Sequence, residues 1–175
     1  MNFKALKKYF LKKQIEKHLK ENVSDKNFDD LKTVGLLVNA HEFENLDAFN
    51  SLVNSLEIFN KDLKLIFYKE EKRSLPTFEQ NNFSSKDFNW KGVLNKPAIE
   101  EFLDREYDLF IGYYSKKNSY LDYITSRAKA KLKVGLNHKE DRLFDIVFKI
   151  KAKEFSLFEE ELAKYINILK NNRNQ

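Results

Sequence analysis

The side chains best suited to chemistry fall just after apolar, strand-like runs. His41 and Glu42 are adjacent and follow the run 33–38. An imidazole beside a carboxylate can act as an acid/base pair near neutral pH. His138 follows a second such run, 132–136, and Tyr114, Ser115 and Asn118 follow a third, 108–114. In open α/β sheets ligands bind outside the carboxyl ends of the strands, at the point where the strand order reverses. Asn39, His41, Glu42, Tyr114, Ser115, Asn118 and His138 are therefore expected to line one ligand-binding edge, with His41 and Glu42 the candidates for catalysis. The same residue types also belong in loops for no reason beyond solvation. Two histidines and a glutamate could hold a metal, but local ligand spacing is missing, and neither metal nor cofactor is expected. The four glycines, Gly35, Gly92, Gly112 and Gly135, are scattered and form no dinucleotide-binding fingerprint. No P-loop, zinc-protease or nucleophile-elbow motif occurs. His18 lies among lysines and is expected to be solvated.

The stretch 107–136 must position most of these groups. Residues 108–114 are apolar and aromatic with little alternation, which suits a strand covered on both faces. Ser115–Asn118 is polar and turn-forming, and Asn118 or Ser119 can cap a helix. Tyr120, Leu121, Ile124 and Ala128 share one face of that helix, and a second strand follows over 132–136. Parallel strands need such a crossover, nearly always right-handed.

The flanking sequence extends this unit. Residues 3–21 lack Gly and Pro and are rich in Lys, Leu and Glu, so they predict a helix. Residues 33–38 read as a first, central strand. Residues 46–59 predict a helix capped by Asn45, its stripe Leu46, Phe49, Leu52, Val53, Leu56 and Phe59 facing the sheet. Residues 63–68 read as the second strand. The connection 69–96 is long and irregular; its aromatics, Phe78, Phe83, Phe88 and Trp90, are expected to pin it to the domain edge or to form an exposed platform for a ligand or partner. A short helix opens at Pro97. A last strand is expected over 143–150 and a last helix over 155–169. Alternation of this kind indicates an α/β protein: a three-layer Rossmann-like or flavodoxin-like sandwich with a mostly parallel sheet. Counting the expected strands along the chain, the order is 2-1-3-4-5, and the short link before the fifth would permit an antiparallel edge. The chain divides into a basic N-terminal helix, 1–22, and one domain, 31–170.

Charge is distributed unevenly. The net charge is +5. Residues 1–22 carry seven Lys against two Glu, and the remainder carries 25 basic and 25 acidic residues. Lys outnumbers Arg by 27 to 5, which argues against specific nucleic-acid recognition, where Arg is the better bidentate reader. The first helix is read as packed on the domain with a solvated lysine face. Its other reading is contact with an anionic membrane through Lys4, Lys7, Lys8, Lys12 and Lys13. With no Cys, disulfides and thiolate metal sites are excluded. No run approaches a membrane span and Tyr9–Leu11 is too short for a secretory core, so a cytoplasmic protein is expected.

The segments TVGLLVNAHEF, FNWKG, EEFLDREYDLFIGYY, SRAKAKLKVGL and KYINIL, in this order, resemble a family of small bacterial proteins known only as a domain of unknown function. The likeness covers nearly all of the chain after the first helix and implies no activity. YDLFIGYY, a helix, then AKAKLKVGL is similar to the N-terminal Rossmann-like half of heptosyltransferase-type glycosyltransferases. That resemblance implies the fold. It also implies a glycine-rich loop with a catalytic Asp after the first strand and a second domain for the nucleotide sugar. Here the loop is Asn39–Asn45, with neither Gly nor Asp, and no second domain is expected. A non-catalytic binding domain, for a protein partner or a small ligand, is the first functional expectation. The second is a small enzyme acting on a nucleotide or sugar-like substrate. The third is a membrane-surface protein.

Overall fold

A computed structural model describes residues 3–21, 28, 30–45, 47–70, 81–137 and 142–171. It is an α/β structure with five helices and a six-stranded sheet among the described residues. The helices are α1 (Phe3–Glu21), α2 (Ala48–Ser55), α3 (Pro97–Asp104), α4 (Ser119–Arg127) and α5 (Phe155–Asn171). The strands are β1 (Val34–Asn39), β2 (Leu63–Tyr68), β3 (Asn82–Phe83), β4 (Glu106–Tyr113), β5 (Lys129–Leu136) and β6 (Ile146–Phe148).

The sheet order is β3-β2-β1-β4-β5-β6 and every named pairing is parallel. This differs from the expected five-stranded order. The long connection contributes an additional edge strand, the two-residue β3, held where Tyr68 pairs with Phe83. Two residues are too short for any periodic signal, so the sequence pattern cannot reveal such a strand. The sheet is also all-parallel, the last edge included. Val134 pairs with Ile146 and Leu136 with Phe148, so β6 begins level with the end of β5. The link need only step back a few ångströms, and no crossover helix is required.

Residues 143–145 are not strand, as expected, but a plug. Leu143 and Phe144 are buried on one sheet face. Asp145 closes the plug onto β5: its N–H donates to the Lys133 carbonyl (2.8 Å), and its carboxylate accepts from the Lys133 N–H (2.8 Å). Phe144 lies directly over two glycines, where a Cβ at Gly112 or Gly135 would come within 2.6 Å of its ring. These glycines exist to admit an aromatic ring, which explains why they are scattered and cradle no phosphate.

Two apolar clusters cover the two sheet faces. One joins Leu36, Val38, Leu109 and Ile111 to Phe49 and Leu52 of α2 and to Phe158 and Leu162 of α5. The other joins Leu37, Ile66 and Phe110 to Leu11 of α1, Ile99 and Phe102 of α3, and Leu121 and Ile124 of α4. Each fully buried large side chain contributes about 1.5–3 kcal/mol before entropy, so this alternation of β1 and β4 side chains holds the two layers to one sheet.

α2 is shorter than its stripe predicts. Leu46 lies outside the described residues, the N-cap is Asp47, and the helix stops at Ser55. Glu57 takes a left-handed conformation, φ 56°. The Ile58 N–H reaches the Val53 carbonyl (3.1 Å) and the Glu57 N–H the Asn54 carbonyl (3.1 Å), a Schellman closure without its usual glycine. Phe59 is thereby thrown outward, 73 % exposed.

Helix α1 packs along α4. Leu11 is fully buried against Gly92, and Lys7 Nζ donates to the Ser85 carbonyl (2.7 Å). The guanidinium of Arg142 holds the Glu16 carboxylate at 2.9 and 3.0 Å. His18 is not solvated, as expected, but half-buried between the helices. It meets the Tyr123 ring edge-on and lies 3.0 Å from Ser126 Oγ. Ser126 Oγ also donates to the Tyr123 carbonyl (2.8 Å). Burial and the nearby Arg127 hold the His18 pKa below its usual value.

Candidate functional site

Strands β1 and β4 end side by side, and the loops leaving them diverge. This is the switch point, and it brings Asn39, His41, Glu42, Ser115 and Asn118 to one edge. Their geometry is one of mutual satisfaction. Asn39 is buried at the end of β1; its Nδ2 donates to Glu42 Oε1 (2.7 Å) and its Oδ1 accepts from the His41 N–H (3.1 Å). The Asn39 carbonyl accepts from the N–H groups of Glu42 (2.9 Å) and Phe43 (3.2 Å). The loop is thus wound into a turn that carries the Glu42 carboxylate across to β4. There Glu42 Oε2 accepts from the Ser115 N–H (3.0 Å) and from its hydroxyl, and Oε1 from the Lys116 N–H (3.1 Å). One carboxylate staples the two diverging loops.

Asn118 is the N-cap of α4, its Oδ1 accepting from the N–H groups of Tyr120 (2.9 Å) and Leu121 (3.4 Å). Tyr114 points away from this edge. It is fully buried on the α4 face, donating to Asp122 Oδ1 (3.1 Å) and lying 3.0 Å from Thr125 Oγ1. Burial, then the Asp122 charge, push its phenol well above the usual range. His138 lies outside the described residues.

His41 and Glu42 turn to different partners. His41 Nε2 accepts from the Glu70 N–H (2.9 Å). Glu70 in turn accepts from the Tyr68 hydroxyl and, at 3.1 Å, from Ser85 Oγ. Burial, then the hydrogen bond to Glu70, raise the Tyr68 phenol. Tyr68 stacks on Tyr120, ring centroids 6.0 Å apart, and Lys7 Nζ lies over the Tyr120 ring, 5.8 Å from its centroid. Burial lowers the Lys7 pKa, against the attraction of Glu70. Sequence reasoning missed Tyr68, Glu70, Ser85 and Lys7. The signal for Glu70 was present: it follows β2, which pairs with β1, so its loop must lie beside that of His41. Lys7 and Ser85 come from distant segments that no local pattern joins.

Of the lysines considered for membrane contact, Lys7 is engaged inward as described, while Lys4, Lys8, Lys12 and Lys13 are exposed. At the opposite, N-terminal edge of the sheet an open cleft of about 380 Å³ is lined by residues of both charges, Lys61, Lys64 and Arg105 with Asp62 and Glu106, beside Thr33 and Tyr107. Among the described residues, no group of three His, Cys, Asp or Glu side chains could hold a metal ion. No buried side-chain nitrogen or oxygen among them lacks a hydrogen-bond partner. No described helix is long and apolar enough to cross a membrane.

These features define an α/β protein with a parallel sheet whose switch point is closed by its own side chains. The chain belongs to a family of unknown function (DUF6913), whose profile matches residues 7–169. No curated protein and no solved structure matches it.

Proposed function

We propose that this chain is a non-catalytic binding domain built on a Rossmann-like core. The observation that carries the reading is the Glu42 staple. In doubly wound sheets a ligand anion is held by backbone N–H groups at the loop leading into a helix. Here the Ser115 and Lys116 N–H groups, on the loop leading into α4, already hold a carboxylate of the protein itself. The neighbouring imidazole has its acceptor nitrogen committed to a backbone N–H. A general base must instead reach a substrate proton. The heptosyltransferase-type likeness of the β4–α4–β5 segment adds to the fold and brings no catalytic Asp with it.

The competing reading, a small enzyme on a nucleotide or sugar-like substrate with His41 and Glu42 as base, is separated by a thermal-shift screen. Nucleotides, nucleotide sugars, sugar phosphates and divalent metals are tested on the full chain and on His41→Ala. Binding to the folded state alone at 100 times the dissociation constant stabilises by about 2.7 kcal/mol, a visible shift. The binding-domain reading expects no turnover of any such compound, and any stabilising ligand to bind equally to His41→Ala. A stabilising ligand that is converted by the full chain, and lost with His41→Ala, would overturn it.

A further inference from the structure

Two features that are far apart in the sequence, the lysine-rich first helix and the only tryptophan, form one surface. Trp90 sits at the tip of a rigid turn. The Asn89 N–H donates to the Val93 carbonyl (3.0 Å), the Gly92 N–H to the Asn89 carbonyl (3.0 Å), and Asn89 Oδ1 accepts from the Lys91 N–H (2.9 Å). The turn is clamped to α1: Gln14 Nε2 donates to the Lys91 carbonyl (3.0 Å), and the Trp90 ring meets Phe10 edge-on at 6.1 Å. Phe10 meets Tyr9 in the same way at 5.6 Å. Tyr9 is 62 % exposed and Trp90 49 %. A large aromatic held outward on a hydrogen-bonded turn is placed for contact with something outside the chain.

Tyr9, Lys13, Lys17 and Lys20 recur at spacings of four, four and three, so they share one outer face of α1. All four are exposed. The aromatic end of this face runs into Phe10 and Trp90, and its other end is basic; Lys17 meets the exposed Glu21 at 3.8 Å. Helix α1 holds no Arg, so the bidentate chemistry of nucleic-acid reading is missing. Aromatic rings that seat at headgroup level, beside lysines that meet acidic headgroups, match the charge and polarity profile of an anionic bilayer surface. We propose that the outer face of α1, with Trp90 as its aromatic anchor, docks this protein on anionic lipid membranes. The proposal rests on the binding-domain reading and names its partner.

Trp90 is its own reporter. The full chain is mixed with phosphatidylcholine vesicles, with and without one-third phosphatidylserine, and both Trp emission and co-sedimentation are followed. Anionic vesicles are expected to shift the emission to the blue and to carry the protein down, and neutral ones to do neither. Raising the salt to about 0.5 M, where the Debye length falls below about 5 Å, is expected to release it. The variant K13E/K17E/K20E, whose side chains lie outside the packed interface, is expected to lose at least about tenfold in partitioning with its unfolding midpoint unchanged. Trp90→Ala is expected to weaken partitioning about three- to tenfold. No binding by the full chain, equal binding to neutral vesicles, or undiminished binding by the triple variant would overturn the proposal. An equal emission shift with polyglutamate or with an oligonucleotide, without lipid, would replace the bilayer by that polyanion. His41→Ala is run alongside: vesicle docking that survives it, beside a nucleotide conversion that does not, would sink the non-catalytic reading alone.

Discussion

Asp108 shows how a single carboxylate fixes the start of the central strand pair. It accepts from the N–H groups of Lys32 (3.0 Å) and Thr33 (2.9 Å) and from Thr33 Oγ1 (3.1 Å), and Lys131 Nζ lies 2.8 Å from its other oxygen. Burial works to raise its pKa, but the Lys131 contact and the backbone donors outweigh burial and hold it below the ordinary value. The unfolded chain therefore takes up this proton more readily than the folded one. The stability contributed by Asp108 is full above about pH 5 and is lost as pH falls through its depressed folded pKa. Asp108→Asn is expected to cost about 1–3 kcal/mol at neutral pH. In urea titrations its deficit relative to wild type should shrink below about pH 4; a deficit independent of pH would show that the charge is not what matters. At this scale the sequence is readable only where partners are close along the chain. Asn118 reads as a cap because its donors are two and three residues away. The Ser115 and Lys116 donors that make Glu42 a staple lie 73 and 74 residues away, and nothing local announces them.

At the level of elements, periodicity gives existence better than extent. The starts of α3 and α4 agree with their capping and breaking residues: Pro97 at the first turn of α3, Asn118 before α4. The stripe over 46–59 overshoots because α2 is closed off by the left-handed Glu57, two residues past its end, which carries no glycine signal, and Phe59 matches the stripe by spacing alone. The 143–150 run reads as strand because Leu143 and Phe144 are apolar, whereas both are buried off the sheet and Phe144 fills the space over Gly112 and Gly135. Gly135→Ala is expected to destabilise by about 1–3 kcal/mol through overpacking against that ring. Phe144→Leu in the same background should recover part of the loss, making the double variant more stable than the sum of the single changes. Strict additivity in denaturant unfolding would mean that the ring is not what the glycine accommodates.

For the molecule as a whole, the parallel sheet, the layers on both of its faces and the meeting of β1 and β4 were legible, because each rests on long apolar runs separated by helical stripes. The edge strand β3 was not, and nor was the joining of Trp90 to α1, which depends on Gly92 (φ +70°) pressing its turn onto Leu11. Charge adds a direction to this body. The excess of lysine is carried by one helix at one face, while the strand edge that would bind a substrate in a doubly wound enzyme is held shut by Asn39, Glu42 and Ser115. The proposed reading makes this edge structural rather than catalytic. It is tested most directly by a double-mutant cycle of Glu42→Ala and Ser115→Ala, read as unfolding free energy in urea. If Glu42 is the staple, Glu42→Ala costs about 1–3 kcal/mol and couples to Ser115→Ala by more than about 0.5 kcal/mol. A loss for Glu42→Ala within about 0.5 kcal/mol, with no coupling, would contradict the account and return Glu42 to the role of a free carboxylate at an open site.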